Sequence, residues 1–193
     1  MLYLILGLVI FFGPHLFSAF RSRVPARDLK RKLGYAPYMG LYSLVSIIGF
    51  VLIVYGYGAS RGAGYVYAPP SWGRHANMGL MLPALIFLVA AYLPTGHVKR
   101  MLKHPMLVAV KLWAFGHLLA NGELNSVILF GSFLAYAVID RIAVKKRGDN
   151  GPPRDAPVSA LPDVLAVVIG TGLYMAIMFH LHALLFGVPV IPA

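Results

Sequence analysis

The sequence predicts an all-α integral membrane protein, a bundle of six transmembrane helices forming one domain over residues 1–193, with the N-terminus and C-terminus outside. Three observations predict it. The 193 residues are 59% hydrophobic and only 12% charged, and the mean hydropathy of +0.75 lies far above that of a soluble domain of this size. Apolar runs close to the ~20 residues that a spanning helix needs recur along the chain. Lys and Arg gather in alternate connections between those runs.

The runs are 2–20, 38–57, 74–93, 105–121, 124–142 and 162–187, the fourth being short. The first lacks a positive leading segment and a small-residue cleavage site and is followed at once by a basic cluster, so it reads as a retained anchor. Around the second, Tyr35, Tyr38 and Tyr42 mark one end and Tyr55, Tyr57, Tyr65, Tyr67 and Trp72 lie beyond the other, which fits two interfacial aromatic belts. Ser46, Gly49, Ile53 and Gly56 share one face of that run, and Gly131 with Ala135 forms a small pair in the fifth; both faces permit close backbone approach. Residues 145–160, KKRGDNGPPRDAPVSA, read as a flexible cytoplasmic connection, and Pro162 then opens the last helix where a missing amide donor costs nothing. No internal repeat is visible, against the duplicated plan of many transporters.

Orientation follows from the basic residues. Connection 21–37 holds six (Arg21, Arg23, Arg27, Lys30, Arg31, Lys32), 94–104 holds three (Lys99, Arg100, Lys103) and 141–161 holds five (Arg141, Lys145, Lys146, Arg147, Arg154). Arg61 and Arg74 alone lie on the other side, with Lys111 inside a helix. The three basic loops are therefore placed in the cytoplasm. The net charge of +11 belongs to these juxtamembrane loops, so the expected partner is the lipid bilayer and not nucleic acid. The absence of cysteine excludes disulfides, thiolate metal sites, covalently attached haem and cysteine nucleophiles, leaving His and oxygen as the ligands for any metal.

Ionisable groups inside apolar runs are expensive to keep and are the first candidates for function. The stretch HPMLVAVKLWAFGHLLANGEL, residues 104–124, carries His104, Lys111, His117, Asn121 and Glu123. At 100° per residue Val110, Trp113, His117 and Asn121 form one stripe, while His104 and Lys111 form another. Lys111 can snorkel back to the cytoplasmic headgroups, or its ammonium can meet a lipid phosphate or a cofactor carboxylate; Glu123 sits at the outer end. In the first run His15 follows Pro14, which frees the carbonyl of Ile10 and favours a kink. His75 and His97 lie at helix ends, where a polar ring is ordinary. His180 and His182, two residues apart, point in nearly opposite directions, and their roles stay open.

His15 and His117 suit a pair of axial ligands to a b-type haem, two imidazoles from different helices approaching one iron. His15 lies about 9 Å from the cytoplasmic end of its run and His117 about 18 Å from the start of its own, at 1.5 Å per residue. The side chains of antiparallel helices tilt toward their own N-termini, which brings the two rings a few ångströms closer in depth.

LYSLVSIIGFVLIVYGYG (41–58), MLPALIFLVAAYLP (81–94) and KHPMLVAVKLWAFGHLLANGELNSVILFGSFLAYAVIDR (103–141) closely resemble the NnrU family of bacterial membrane proteins, whose name reflects an association with denitrification. The likeness runs from about residue 1 to 147. More distantly the chain is similar to the 15-cis-ζ-carotene isomerases of plants and cyanobacteria, a branch of the same superfamily that carries haem b. In that branch a first-span histidine and one in the helix after a His-Pro motif hold the haem; the matching positions are His15 in GPHLFSAFR and His117 in FGHLLANG. The resemblance implies haem b on His15 and His117, with His104, Lys111 and Asn121 beside it, in a multi-pass protein of the bacterial inner membrane. It implies redox, sensing or isomerase-like work in nitrogen-oxide metabolism, on a small hydrophobic substrate or a redox partner. A second reading is a non-catalytic partner that assembles or stabilises a respiratory complex. A third follows from KHPM, residues 103–106, which looks like the RHP turn of S-adenosylmethionine-dependent membrane methyltransferases but lacks their paired acidic residues downstream.

Overall fold

The computed structural model describes residues 1–191; the last two residues of the expected 1–193 domain lie outside the described residues. The described chain is helical: α1 Leu2–Phe20, α2 Leu29–Leu33, α3 Tyr35–Ala59, α4 Gly73–Tyr92, α5 His97–Leu102, α6 Pro105–Ala120, α7 Leu124–Lys146, α8 Leu161–Ala176 and α9 His182–Phe186, with a π-helical stretch Ile177–Leu181 joining the last two. Five stretches are long and apolar enough to cross a membrane: α1, α3, α4, α7 and the continuous Leu161–Phe186. The sixth expected span, α6, has 16 residues, about 24 Å at 1.5 Å per residue against a hydrocarbon core of ~30 Å. It ends one residue early because Asn121–Glu123 leave the helix. Val66 N–H donates to the Gly122 carbonyl (2.8 Å), Leu124 N–H to that of Gly64 (2.9 Å), and Tyr65 and Glu123 form an isolated antiparallel bridge.

Residue contacts group the chain into two compact units. The first comprises Met1–Pro69 and Asn121–Gly148, hence α1, α2, α3 and α7. Its core is the α1–α3 pair, and glycines set the approach. A Cβ on Gly7 would stand 2.6 Å from the Ile53 nitrogen, and one on Gly49 2.5 Å from that of Phe11. In the absence of a hydrophobic drive between lipid-exposed helices, such backbone contact is what holds them together. The small face expected on α3 is thus the packed one, with Gly49, Ile53 and Gly56 buried. The Gly131/Ala135 pair is not: a Cβ on Gly131 meets nothing within 4 Å and Ala135 is exposed. α7 buries a different face, through Asn125, Ser126, Leu129, Phe130 and Ala137. At its start the Tyr57 hydroxyl and Ser126 Oγ lie 3.0 Å apart, and Asn125 Nδ2 donates to the Tyr57 carbonyl (3.4 Å), so the buried polar pair is satisfied from α3.

The second unit comprises Pro70–Ala120 and the chain from Asp149 onward, with α4, α5, α6, α8 and α9. α4 is its hub, packing on α6 and α8. Two short helices that apolar runs do not reveal, α2 and α5, are made by carboxylates. Asp28 accepts from the Lys30 amide (3.0 Å) as the N-cap of α2. Asp163, at the start of α8, accepts from the amides of His97 (2.8 Å) and Val98 (3.0 Å) and so caps α5 from another helix. Lys99 reaches back to the Ala91 and Leu93 carbonyls (2.9 and 2.8 Å) and closes the end of α4.

The aromatic belts hold only in part. Tyr35, Tyr55 and Trp72 are exposed, whereas Tyr38 is buried under the Arg21 guanidinium (5.8 Å from its ring centre) and Tyr42 turns toward His15. Both follow the buried side of α3, which overrides the interfacial preference.

Candidate functional site

His15 is half-buried in the first unit, on α1. Its Nδ1 lies 2.6 Å from the Phe11 carbonyl. A carbonyl only accepts, so Nδ1 carries the hydrogen and in the neutral ring Nε2 carries the lone pair. The imidazole is stacked on Phe11 (centroids 4.3 Å) and sits 5.0 Å from the ring of Tyr42 on α3 and 5.7 Å from that of Tyr136 on α7. Phe12 and Phe133 complete this aromatic wall. Asp140 follows Tyr136 by one turn on α7. α1 passes through Pro14 without ending, so the proline sits inside the helix one residue before the imidazole.

His117 repeats the arrangement in the second unit. Its Nδ1 lies 2.8 Å from the carbonyl of Trp113, again four residues back, and the indole stands 5.5 Å from the imidazole. The same tautomer follows. Beside it Gly116 packs against Asn77 and Met81 of α4, and the Asn77 Oδ1 is buried without a hydrogen-bond partner. The π-helical stretch at Ile177–Leu181 widens the chain just before His182, whose Nδ1 lies 2.6 Å from the Val188 carbonyl. His180 is exposed.

The remaining residues of the 104–124 stretch part company. His104 Nε2 donates to the Asp149 carbonyl (3.1 Å), with the Asp149 carboxylate at 3.7 Å, so it braces the connection that follows α7. Its corner is tight: the His104 amide donates to the Leu102 carbonyl (2.7 Å) across Lys103, whose φ of 65° is a γ-turn of the rare, strained hand. Gly151 packs onto that Lys103 backbone, Ala156 accepts from Arg100, and Ser159 donates to the Thr95 carbonyl (3.4 Å). Lys111 is half-buried on α6. Asn121 lies beyond the end of α6, so the Val110–Trp113–His117 stripe stops before it; its carbonyl accepts from the Tyr67 hydroxyl (3.0 Å). Glu123 opens α7 and accepts from the Tyr65 hydroxyl (3.3 Å).

Sequence reasoning found both intramembrane histidines but missed what surrounds them. Tyr42, Tyr136, Asp140, Asn77 and His182 depend on which helices are neighbours. The only local signal was the i, i+4 spacing of Tyr136 and Asp140 in an otherwise apolar run.

No group of three or more His, Asp or Glu side chains forms a metal site among the described residues. A ligand pair needs only two imidazoles. The test of fit is therefore the donor chemistry, and both rings meet it: each is oriented through Nδ1, which in the neutral ring leaves Nε2 its lone pair, and each lies beside an aromatic ring.

Helices of this length and apolarity, carrying two oriented imidazoles, define a helical membrane protein with part-buried histidines. The chain belongs to the NnrU family, whose description, NnrU protein, matches residues 3–190. The match runs past the 1–147 of the initial resemblance and takes in the last helix. No curated protein and no solved structure matches the chain.

Proposed function

We propose that this chain is a haem-b protein of the bacterial inner membrane, serving nitrogen-oxide metabolism in a redox, sensing or isomerase-like role, with six spans and both termini outside. Family membership supports the nitrogen-oxide context. The observation that carries the haem is the shared environment of two histidines far apart in sequence, each with Nδ1–H on the carbonyl four residues back and its ring against the aromatic side chain there. A ligand has use for that bond, because the second nitrogen must keep its lone pair and its direction.

His15 and His117 would be the residues that hold the group. Bound there, haem would supply one-electron exchange at its iron. The protein's contribution is its own. The Phe11 and Trp113 carbonyls hold the Nδ1 protons and so fix the ring planes, while Phe12, Phe133, Tyr42 and Tyr136 exclude water around His15. Tyr42 and Tyr136, with ring centres 5.0 and 5.7 Å from the imidazole, bring phenol groups beside that ring. Pro14 makes His15 the more easily displaced of the two, since the helix has one backbone bond fewer at that turn.

Four single variants test the assignment in protein purified from haem-supplemented cells. His15→Ala and His117→Ala lose the haem absorption band and regain it in part with added imidazole, which shows that the fold persists. His180→Ala and His182→Ala keep it. Loss in His182→Ala together with retention in His15→Ala would overturn the role given to His15, and place both ligands in the second unit. A preparation that stays colourless after supplementation favours the assembly-partner reading.

A further inference from the structure

At the ends of α1 and α7 the first unit has an open pocket of about 190 Å³, lined by Ala19, Phe20 and Ala143 and by Arg21, Arg23, Lys146 and Arg147. Among the described residues, the one carboxylate paired with these four cations is Asp28, bonded to Arg21 Nη1. The three arginines are held in place by hydrogen bonds. Arg147 donates to the Ala19 carbonyl and Arg23 to that of Ser18 (3.0 Å), while the Arg21 side chain is 8% exposed and its buried Nε has no partner. Burial, and then the charges of Arg21 and Arg147, lower the Arg23 pKa from its ordinary value, as closely spaced like charges do. A ring of this kind attracts an anion. Next to it, on the last turns of the same two helices, Phe17, Phe20, Val138 and Ile142 expose large apolar side chains.

We infer that the cavity is a binding site for the headgroup of an anionic phospholipid, with the phosphodiester among Arg21, Arg23, Lys146 and Arg147 and the acyl chains along the exposed faces of α1 and α7. The volume is below the ~300–1,000 Å³ of sites for drug-sized molecules, which suits a headgroup. Arginine forks match phosphate oxygens in pairs, and a basic pocket beside spanning helices is where such a headgroup is taken up. A soluble phosphate would make the same polar contacts but leave the apolar rim without a partner. The site does not depend on haem.

The test uses the full chain, delipidated in a non-ionic detergent and titrated with phosphatidylglycerol, phosphatidylcholine or inorganic phosphate, with bound lipid read by native mass spectrometry and stability by thermal shift. Phosphatidylglycerol is expected to bind and raise the midpoint, with phosphatidylcholine bound far more weakly. The double variant Arg23→Gln, Lys146→Gln should weaken phosphatidylglycerol by about thirtyfold, two surface cations' worth. The control double variant Lys32→Gln, Lys145→Gln removes the same charge outside the cavity and should bind as the parent does. Equal binding of the two lipids, or equal loss in both double variants, would overturn the site. Millimolar phosphate that competes phosphatidylglycerol away would make the ligand a soluble anion and overturn the lipid assignment.

Discussion

Asp28 does two jobs with one carboxylate: it caps α2 through the Lys30 amide and holds the guanidinium of Arg21. The hydrogen bond from Arg21 keeps its pKa below the ordinary carboxylate value, helped by the Lys30 amide and the charges of Arg21 and Arg23 against the cost of burial. The sign of the linkage is then fixed. A carboxyl whose folded pKa is depressed contributes stability that is complete above its unfolded value of ~3.9 and is lost as the pH falls through the lower, folded one. Amide hydrogen-exchange protection over Leu29–Leu33 should accordingly be flat from neutral pH to the ordinary carboxylate range and fall below it. Asp28→Asn keeps an acceptor for the cap and loses the charge, so its protection should be intermediate and nearly independent of pH; Asp28→Ala should show the least. Equal protection in all three chains would mean that the short helix stands without its cap.

Among the elements, α1 and α3 make the sharpest claim. Their backbones meet at Gly7 and Gly49, where an added methyl has no space and the atoms it meets are backbone. Gly49→Ala should cost ~1–3 kcal/mol by overpacking and lower the thermal midpoint in detergent, whereas Gly131→Ala, facing open space, should change it little or raise it through helix propensity. A midpoint unmoved by Gly49→Ala would show that the two helices are not held by this contact. The pair also shows what the sequence reveals and what it hides. The small residues of α3 are legible as a face, and so are the long apolar runs. What pairs with what is not legible, since helices that are apolar all round lose the one-sided pattern that points a soluble helix at its core. Hence the Gly131/Ala135 face was misassigned, and the division of the helices into α1, α3, α7 and α4, α6, α8 left no trace in the chain order. α2 and α5 escaped for another reason: each rests on one carboxylate, that of α5 coming from Asp163, 66 residues after the His97 amide it caps. The histidines were legible because a titratable ring in an apolar run stands out; their aromatic surroundings, set by neighbouring helices, were not.

For the whole molecule the basic loops predict an orientation that labelling can test directly, because the chain has no cysteine of its own. With six spans and both termini outside, single cysteines at Ala63 and Val188 should react with a membrane-impermeant maleimide on intact cells, and those at Ala26, Met101 and Asp155 only after lysis. Labelling at 155 on intact cells, with 101 protected, would show that α6 does not cross. The proposed function stands or falls on cofactor content. The most direct measurement is the absorption spectrum of the wild-type full chain, purified from haem-replete membranes, oxidised and then reduced. Two fixed imidazoles predict about one haem per chain and the sharp reduced-state bands of a low-spin, bis-histidine iron. A chain that emerges folded and colourless, or holds haem in a five-coordinate, high-spin state that neither His15→Ala nor His117→Ala alters, would contradict it.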